Sequence, residues 1–263
     1  MRVIAENLNV RNRSFAEALK GRDGKAISRM ATELPAAGAE IINVQCSLDG
    51  AGDEETLPMA VEAVGAAEAG ICLDSRNVKA IRKALPLCKK PPLINFFSAA
   101  EPEEAEELLE IVASSQASLV LRASRGSIPT TLEAKLQILE ELIEMANAAD
   151  IPNERLFADP SVVHIGRGMG QSHVVNSHEC IHVMNEMVEP PINTIVWISN
   201  ISSALPKSVK QKLDEAFLMY LAGAGLDAAM VNVLDPGIQR ALYLIKSFRD
   251  EIIFTPADMA KWA

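Results

Sequence analysis

The sequence lacks the features that mark membrane and secreted proteins. No apolar run approaches the roughly 18 residues needed to cross a bilayer, and the start, MRVIAENLNV, lacks the basic and long apolar regions of a secretion signal. The four cysteines form no C-x-x-C pair, which favours reduced thiols over disulfides or a cysteine-based zinc site. These absences predict a soluble cytoplasmic protein without a membrane-spanning segment.

Positive charge is also scarce. The chain has 25 Lys and Arg against 35 Asp and Glu, a net charge of −10, and no basic stripe. Nucleic acid is not expected as a partner, because binding to phosphates needs clustered basic residues. The acidic segment Glu101–Glu110, EPEEAEELLE, alternates with leucines at helical spacing, which favours a solvated outer helix face over a binding patch.

Hydrophobic residues make up 49% of the 263 residues and recur in a regular pattern. Eight short apolar runs, spaced by roughly 25 to 45 residues, are each followed by a helical pattern. No G-x-G-x-x-G follows the first run, as an open doubly wound sheet often requires. The pattern therefore predicts the α/β class, as a single (β/α)8 TIM barrel domain over residues 1–263. The runs are RVIA, EIINV, GICL, PLINF, ASLVL, RLFA, TIVWI and DAAMV.

Two segments between the runs carry further signals. Asp74 and Ser75 are expected to cap a helix that begins near Asn77. The glycine-containing segment Ser161–Ser177, SVVHIGRGMGQSHVVNS, has no clear period and predicts a mobile loop. It follows the sixth run, so in a barrel it would lie on the catalytic face.

The segment HECIH, residues 178–182, matches the zinc pattern H-E-x-x-H, in which two histidines one helical turn apart bind the metal. The match fixes only three positions, and no convincing third ligand accompanies it. The segment also maps to the helix after the sixth run, outside the barrel mouth. A surface role is favoured over a metalloprotease site, and no bound metal is expected.

Polar residues stand where the apolar runs end. The carboxyl ends of barrel strands form one mouth, so these side chains would face a single cavity, although a single Asn or Asp after a strand is more often a turn former or a cap. They are mainly carboxylates and amides, which suit a flat heterocycle with donor and acceptor edges, such as an aminopyrimidinone. The residues are Glu6, Asn7, Asn43, Gln45, Asp74, Asn95, Arg122, Asp159, Ser199, Asn200 and Asn232.

Four of these strand ends resemble motifs of a known family. ICLDS, LINF, LFADP and WISN, which contain Asp74, Asn95, Asp159 and Asn200, are similar to motifs of the pterin-binding barrel family, and GLDAAMVN resembles its eighth strand. Within that family the sequence most resembles the methyltetrahydrofolate:corrinoid (iron-sulfur) protein methyltransferases. The resemblance implies that Asp74, Asn95 and Asp159 hold the pterin and that Asn200, the catalytic residue, lies near N5.

The resemblance also implies a reaction and its participants. The N5 methyl group would move between methyltetrahydrofolate and the cobalt of a corrinoid (cobalamin) carried by a separate corrinoid protein, and the chain would form a homodimer. Glu6, Asn9, Asn43 and Ser199 are further candidates for substrate binding. The sequence departs from the family at the first strand, where AENLN replaces an opening G-E-R, and at the second, where Asn43-Val44-Gln45 replaces D-x-N.

Two alternatives stay open at this point. A dihydropteroate synthase-like pterin enzyme shares the barrel, but the Thr-Pro-Asp-Ser-Phe type of loop and the Ser-x-Arg-x-His motif expected of it are absent from the sequence. A non-catalytic barrel subunit of a corrinoid complex is the other, because a fold does not determine a function. The retained set of strand-end residues argues against this subunit, and tight binding of a folate by the isolated chain would distinguish it from a pterin-binding enzyme.

Overall fold

The computed structural model describes residues 1–98 and 102–262, and these residues contain a closed barrel of eight parallel strands. The strands follow one another in sequence order, and the last pairs with the first. This is the (β/α)8 TIM barrel that the eight apolar runs predict, so that prediction is confirmed. The strands are β1 Arg2–Asn9, β2 Ile41–Gln45, β3 Gly70–Asp74, β4 Leu93–Phe97, β5 Ser118–Arg122, β6 Leu156–Asp159, β7 Asn193–Trp197 and β8 Ala228–Val231.

The helices flank the barrel, and two of them separate β1 from β2. In the described part of the chain no helix is long and apolar enough to cross a membrane. The α-helices are α1 Arg13–Lys20, α2 Gly24–Glu33, α3 Asp53–Val64, α4 Val78–Ala84, α5 Pro102–Ser115, α6 Leu132–Ala148, α7 Gly170–Met187, α8 Lys207–Gly223, α9 Pro236–Phe248 and α10 Pro256–Met259.

The core has two layers because side chains of a strand point alternately to its two faces. The larger layer lies between the strands and the helices. The smaller layer fills the barrel interior with Ile4, Cys72, Leu93, Val120, Phe157, Ile195, Ala228 and Met230. Three of these interior residues, Val120, Ile195 and Met230, also line a cavity at the carboxyl ends of the strands, so the inner layer forms its floor.

The segment predicted as one loop over Ser161–Ser177 is a loop only in its first half, and the prediction is wrong for the second. Helix α7 begins at Gly170, where the backbone passes close to the preceding turn. A Cβ at this position would overlap the carbonyl oxygens of His164 and Ile165. Glycine therefore lets the helix start close against the preceding turn. The mobility of the remaining loop stays a prediction.

The predicted cap of α4 is also wrong in part. Asn77 is the N-cap residue, and its side-chain oxygen accepts from the backbone N–H of Ala80 at 3.0 Å. Ser75 supports the turn by accepting from the backbone N–H of Asn77 at 3.1 Å. Asp74 takes no part in the cap, because its carboxylate bonds to side chains of β2.

The acidic helix after β4 agrees with its pattern where the structure describes it. Glu106 and Glu110 are exposed on α5, and Leu108 and Leu109 are buried on its other side. This is the solvated outer face that the spacing predicts. Glu101 lies outside the described residues.

Candidate active site

A cavity of about 230 Å³ opens at the carboxyl ends of the strands. We call it the central cavity. Six polar residues from consecutive strand ends line it: Gln45, Asp74, Asn95, Arg122, Asp159 and Asn200. The prediction that strand-end residues distant in sequence meet at one mouth is thus confirmed for these six.

Asp74 ends β3 and is buried, with 4% of its surface exposed. Its Oδ2 accepts hydrogen bonds from Asn43 Nδ2 and Gln45 Nε2, both at 3.0 Å. Burial raises the pKa of Asp74 to about 6, while the amides of Asn43, Asn95 and Gln45 and the charge of Arg122 oppose this rise. The carboxylate is therefore ionised at neutral pH although it is hardly solvated.

Asp159 ends β6 and lies beside Arg122, its partner in the register of β5 and β6. Its Oδ1 accepts from the backbone N–H of Ser161 at 2.8 Å. Burial raises the pKa of Asp159, and the positive charges of Arg122 and Lys135 counteract this. The Arg122 guanidinium also lies 4.5 Å from the centre of the Phe96 ring, so a cation and an aromatic face border the same cavity.

Asn200 lies in a 3-10 helix, Ile198–Ser202, that directly follows β7. It lines the central cavity and also an adjoining space that contains Arg122 and His164. Within residues 1–98 and 102–262 its side chain forms no hydrogen bond. Both the oxygen and the nitrogen of this amide are therefore available to a ligand.

Glu6 and Ser199 are not among the residues that line the central cavity. Glu6 is 7% exposed, and its Oε2 accepts from Ser199 Oγ at 2.7 Å and from the indole N–H of Trp197. Burial raises the pKa of Glu6 to about 7. Both residues line a smaller neighbouring cavity of about 100 Å³ with Lys210 and Asp214. Trp197, which donates to Glu6, does line the central cavity.

Asn43 and Asn9 are not among the residues that line the central cavity: Asn43 lies two residues before the end of β2, and Asn9 ends β1 in register with Gln45. Asn43 is fully buried, donates to Asp74, and its Oδ1 has no hydrogen-bond partner among the described residues. Asn9 stabilises the turn after β1, since its amide bonds to Glu6 O and to the backbone N–H of Arg11. The structure does not bring either residue to the cavity lining, and their contact with a ligand stays a prediction.

Several lining residues were missed by reading only polar strand ends. Phe96 and Trp197 belong to apolar runs and resemble core residues in the sequence, and Arg11 and Arg76 lie just beyond the strands. The signal that could have found the arginines is their position in βα loops, which border the mouth of a barrel. The Arg76 guanidinium lies 5.8 Å from the centre of the Phe96 ring, and with Arg11 and Arg122 it brings three arginines to the lining of the central cavity.

The HECIH segment lies on α7, as predicted, and away from the central cavity. The His178 ring packs against Tyr220 with their centres 4.4 Å apart, and His182 is exposed. In the described ranges no three His, Cys, Asp or Glu side chains come together as a metal site requires. The absence of bound zinc stays a prediction.

A comparison of the sequence with known families finds a match. A profile of the family described as "Pterin binding enzyme" matches residues 5–232 of the chain. The chain belongs to this family of pterin-binding enzymes. The match extends from β1 to the residue after β8, and it therefore includes every strand end that lines the central cavity.

Two curated proteins are similar in sequence to the chain. The methylcorrinoid:tetrahydrofolate methyltransferase of Eubacterium limosum is 27% identical over 248 residues, which cover 92% of this chain and 89% of that protein. The methionine synthase of Mycobacterium leprae (strain TN) is 24% identical over 242 residues, which cover 88% of this chain and 20% of that protein. The aligned residues thus make up a fifth of the length of the methionine synthase.

Solved structures share the fold. The Yersinia pestis dihydropteroate synthase with a pterine-sulfa conjugate superposes with a TM-score of 0.70 at 16% identity, covering 95% of this chain and 94% of that one. A second structure of the Yersinia pestis enzyme gives 0.68 at 17% identity, covering 95% and 93%. At these identities the likeness concerns the barrel and not the reaction.

Proposed function

We propose that this pterin-binding enzyme transfers the N5 methyl group between methyltetrahydrofolate and the cobalt of a corrinoid protein. The observation that carries the proposal is that Asp74, Asp159 and the unbonded amide of Asn200 line one cavity. The resemblance to the Eubacterium limosum methylcorrinoid:tetrahydrofolate methyltransferase supports the choice of reaction.

The pterin would bind through its polar edge. A pyrimidinone with an exocyclic amino group presents adjacent N–H donors, and the carboxyl oxygens of Asp74 and Asp159 accept such donors. The Asn95 amide, which can both donate and accept, complements a ring nitrogen or carbonyl beside them. The Phe96 ring, next to the Arg122 guanidinium, offers a flat apolar contact for the ring system.

Activation of N5 is the chemical problem. A tertiary amine is a poor leaving group until it gains positive charge, so the protein must stabilise the protonated N5. An asparagine cannot give up a proton as an acid does, but the Asn200 amide oxygen can accept a hydrogen bond from N5–H⁺ after the proton arrives through water. The corrinoid supplies the Co(I) nucleophile, while this chain orients the methyl group towards it.

The partner and the assembly belong to the same proposal. A corrinoid protein would approach the mouth of the barrel, where Arg11, Arg76 and Arg122 provide positive charge. The chain would act as a homodimer in the cytoplasm.

The proposal is tested by mixing the purified chain with methyltetrahydrofolate and chemically reduced cob(I)alamin and following the cobalt spectrum. We expect enzyme-dependent loss of the Co(I) absorption and formation of methylcobalamin. The same preparation is assayed with a dihydropterin pyrophosphate and p-aminobenzoate. Formation of dihydropteroate without methylation of cobalt would favour the dihydropteroate synthase-like alternative. Absence of both reactions and of folate binding would favour the non-catalytic subunit.

A further inference from the structure

A lysine is buried behind the candidate site. Lys135 lies near the start of α6, and its side chain has 0% exposure. Its Nζ donates to the carbonyl oxygen of Ser161 at 3.2 Å, and within the described ranges it forms no ion pair within 4.0 Å. A buried ammonium without a contacting carboxylate is costly, because it loses hydration without a close counter-charge. Packing alone does not account for a charged residue here.

The hydrogen bond of Lys135 leads directly to the site. Ser161 accepts from Lys135 with its carbonyl oxygen and donates its own backbone N–H to Asp159 Oδ1 at 2.8 Å. Ser161 has a φ of 58°, in the left-handed region that non-glycine residues rarely adopt. The backbone of Ser161 makes the hydrogen bonds to Lys135 and to Asp159. Its side-chain oxygen is buried and has no hydrogen-bond partner in the described part of the chain.

We propose that Lys135 is a positioning residue for Asp159: through the backbone of Ser161 it orients the carboxylate towards the ligand, and its buried positive charge favours the ionised form of that carboxylate. The proposal rests on the proposed function in one respect, namely that Asp159 binds the pterin edge.

The titratable groups near Lys135 are His173, Cys180 and Asp159. Helix α7 presents His173 and Cys180 to it. Burial lowers the pKa of His173, and burial raises the pKa of Cys180 to about 12, so both are uncharged near neutral pH. Burial lowers the pKa of Lys135 itself to about 8, against the opposing charge of Asp159, so the ammonium form still predominates at pH 7. Asp159 is the carboxyl group near Lys135, and the positive charges of Lys135 and of Arg122 on β5 both oppose the rise that burial causes in the pKa of Asp159.

The test is the titration of Asp159 in the protein without ligand, followed by carbon-13 NMR of labelled Asp carboxyl groups and assigned with Asp159→Asn. Lys135→Met keeps an unbranched side chain of similar length but removes the charge. We expect the midpoint of the Asp159 titration to rise by about one pH unit, a tenfold change in its ionisation constant. An unchanged midpoint would overturn the proposal.

Two further variants separate charge from packing. Lys135→Arg keeps the charge and should titrate as the unmodified protein does, whereas a raised midpoint in this variant would mean that packing and not charge is responsible. Leu139→Ala, on the same buried face of α6, should lower the melting temperature and leave the Asp159 midpoint in place. Because these titrations use no folate, a failed methyl-transfer assay would reject the proposed function and leave this inference standing.

Discussion

Asp74 and Asp159 line the same cavity, and apart from Arg122, which acts on both, different neighbours favour their ionised forms. Asp74 depends on short-range amide donors from β2, whereas Asp159 depends on one backbone N–H and on the charges of Arg122 and Lys135. Hydrogen bonds act over one contact and charges act over several ångströms. A substitution of Gln45 is therefore expected to affect Asp74 and one of Lys135 to affect Asp159, whereas Arg122 acts on both carboxyl groups.

The first prediction concerns Asp74. In Asp74→Ala, N–H donors of a bound pterin would stay unpaired in a buried site, and we expect a loss of about 1 to 3 kcal/mol in the free energy of folate binding. Calorimetric titration with methyltetrahydrofolate measures this loss. Glu140→Ala, an exposed change on α6, is the matched control and should bind as the unmodified protein does. Equal affinity in Asp74→Ala would remove Asp74 from the binding site.

The second prediction concerns the buried carboxyl group of Glu6. Its pKa in the folded protein, about 7, exceeds the ordinary value of 4.5, so the folded state holds the proton more tightly than the unfolded state does. The resulting destabilisation is absent below about pH 4, grows as pH rises from about 4.5 to about 7, and is fully present above that. Gln cannot ionise, and Glu6→Gln should therefore gain about 2 kcal/mol of stability relative to the unmodified protein between pH 5.5 and pH 8.

Urea unfolding of both proteins at the two pH values measures this difference. A constant offset between them would mean that Glu6 does not titrate in this range. The comparison cancels the titration of other groups, because both proteins contain them.

At the scale of secondary structure, the strands could be predicted from the sequence more closely than the helix ends. Each apolar run is a strand because burial on both faces of a parallel sheet requires continuous apolar residues. β1 continues to Asn9, four residues beyond RVIA, because Glu6 and Asn7 are polar and interrupt the run without ending the pairing to β2. The start of α7 could not be read, since it depends on a backbone contact between Gly170 and residues 164–165.

That contact gives the third prediction. Gly170→Ala should lower the free energy of unfolding by about 1 to 3 kcal/mol, because the added Cβ would overlap backbone oxygens that cannot move independently. Gly223→Ala, at the end of α8, is the control, since a Cβ there meets no atom within 4 Å. Denaturant unfolding should show no loss of stability for Gly223→Ala. A loss of the same size in both variants would contradict the assigned contact.

At the scale of the whole molecule, the closed barrel is the reason that a site could be predicted from motifs far apart in the sequence. Asp74, Asn95, Asp159 and Asn200 meet because parallel strands of a barrel all end at one mouth, and this follows from topology alone. Side-chain partners across strands did not follow from topology. The sequence could not reveal that Asn43 donates to Asp74 or that Glu6 accepts from Trp197. Both hydrogen bonds depend on the register and packing of different strands.

The distribution of charge also belongs to this scale. The net charge of the chain is −10, yet Arg11, Arg76 and Arg122 line the central cavity. A positive mouth on an acidic protein favours approach of anionic ligands to this end of the barrel. The proposed folate substrate has carboxylates in its glutamate tail, which agrees with this polarity.

The account depends most on the claim that Asn200 stabilises N5 as it becomes cationic. An interaction that strengthens in the transition state should affect the rate more than the binding of substrate. Folate affinity and single-turnover methyl transfer to cob(I)alamin are therefore measured on the same samples of Asn200→Ala and the unmodified protein, with Asn176→Ala, an amide on α7 outside the cavity, as the control. We predict a fall in rate on the order of a hundredfold with a much smaller loss of affinity. Equal losses of rate and affinity, or an unchanged rate, would contradict the account.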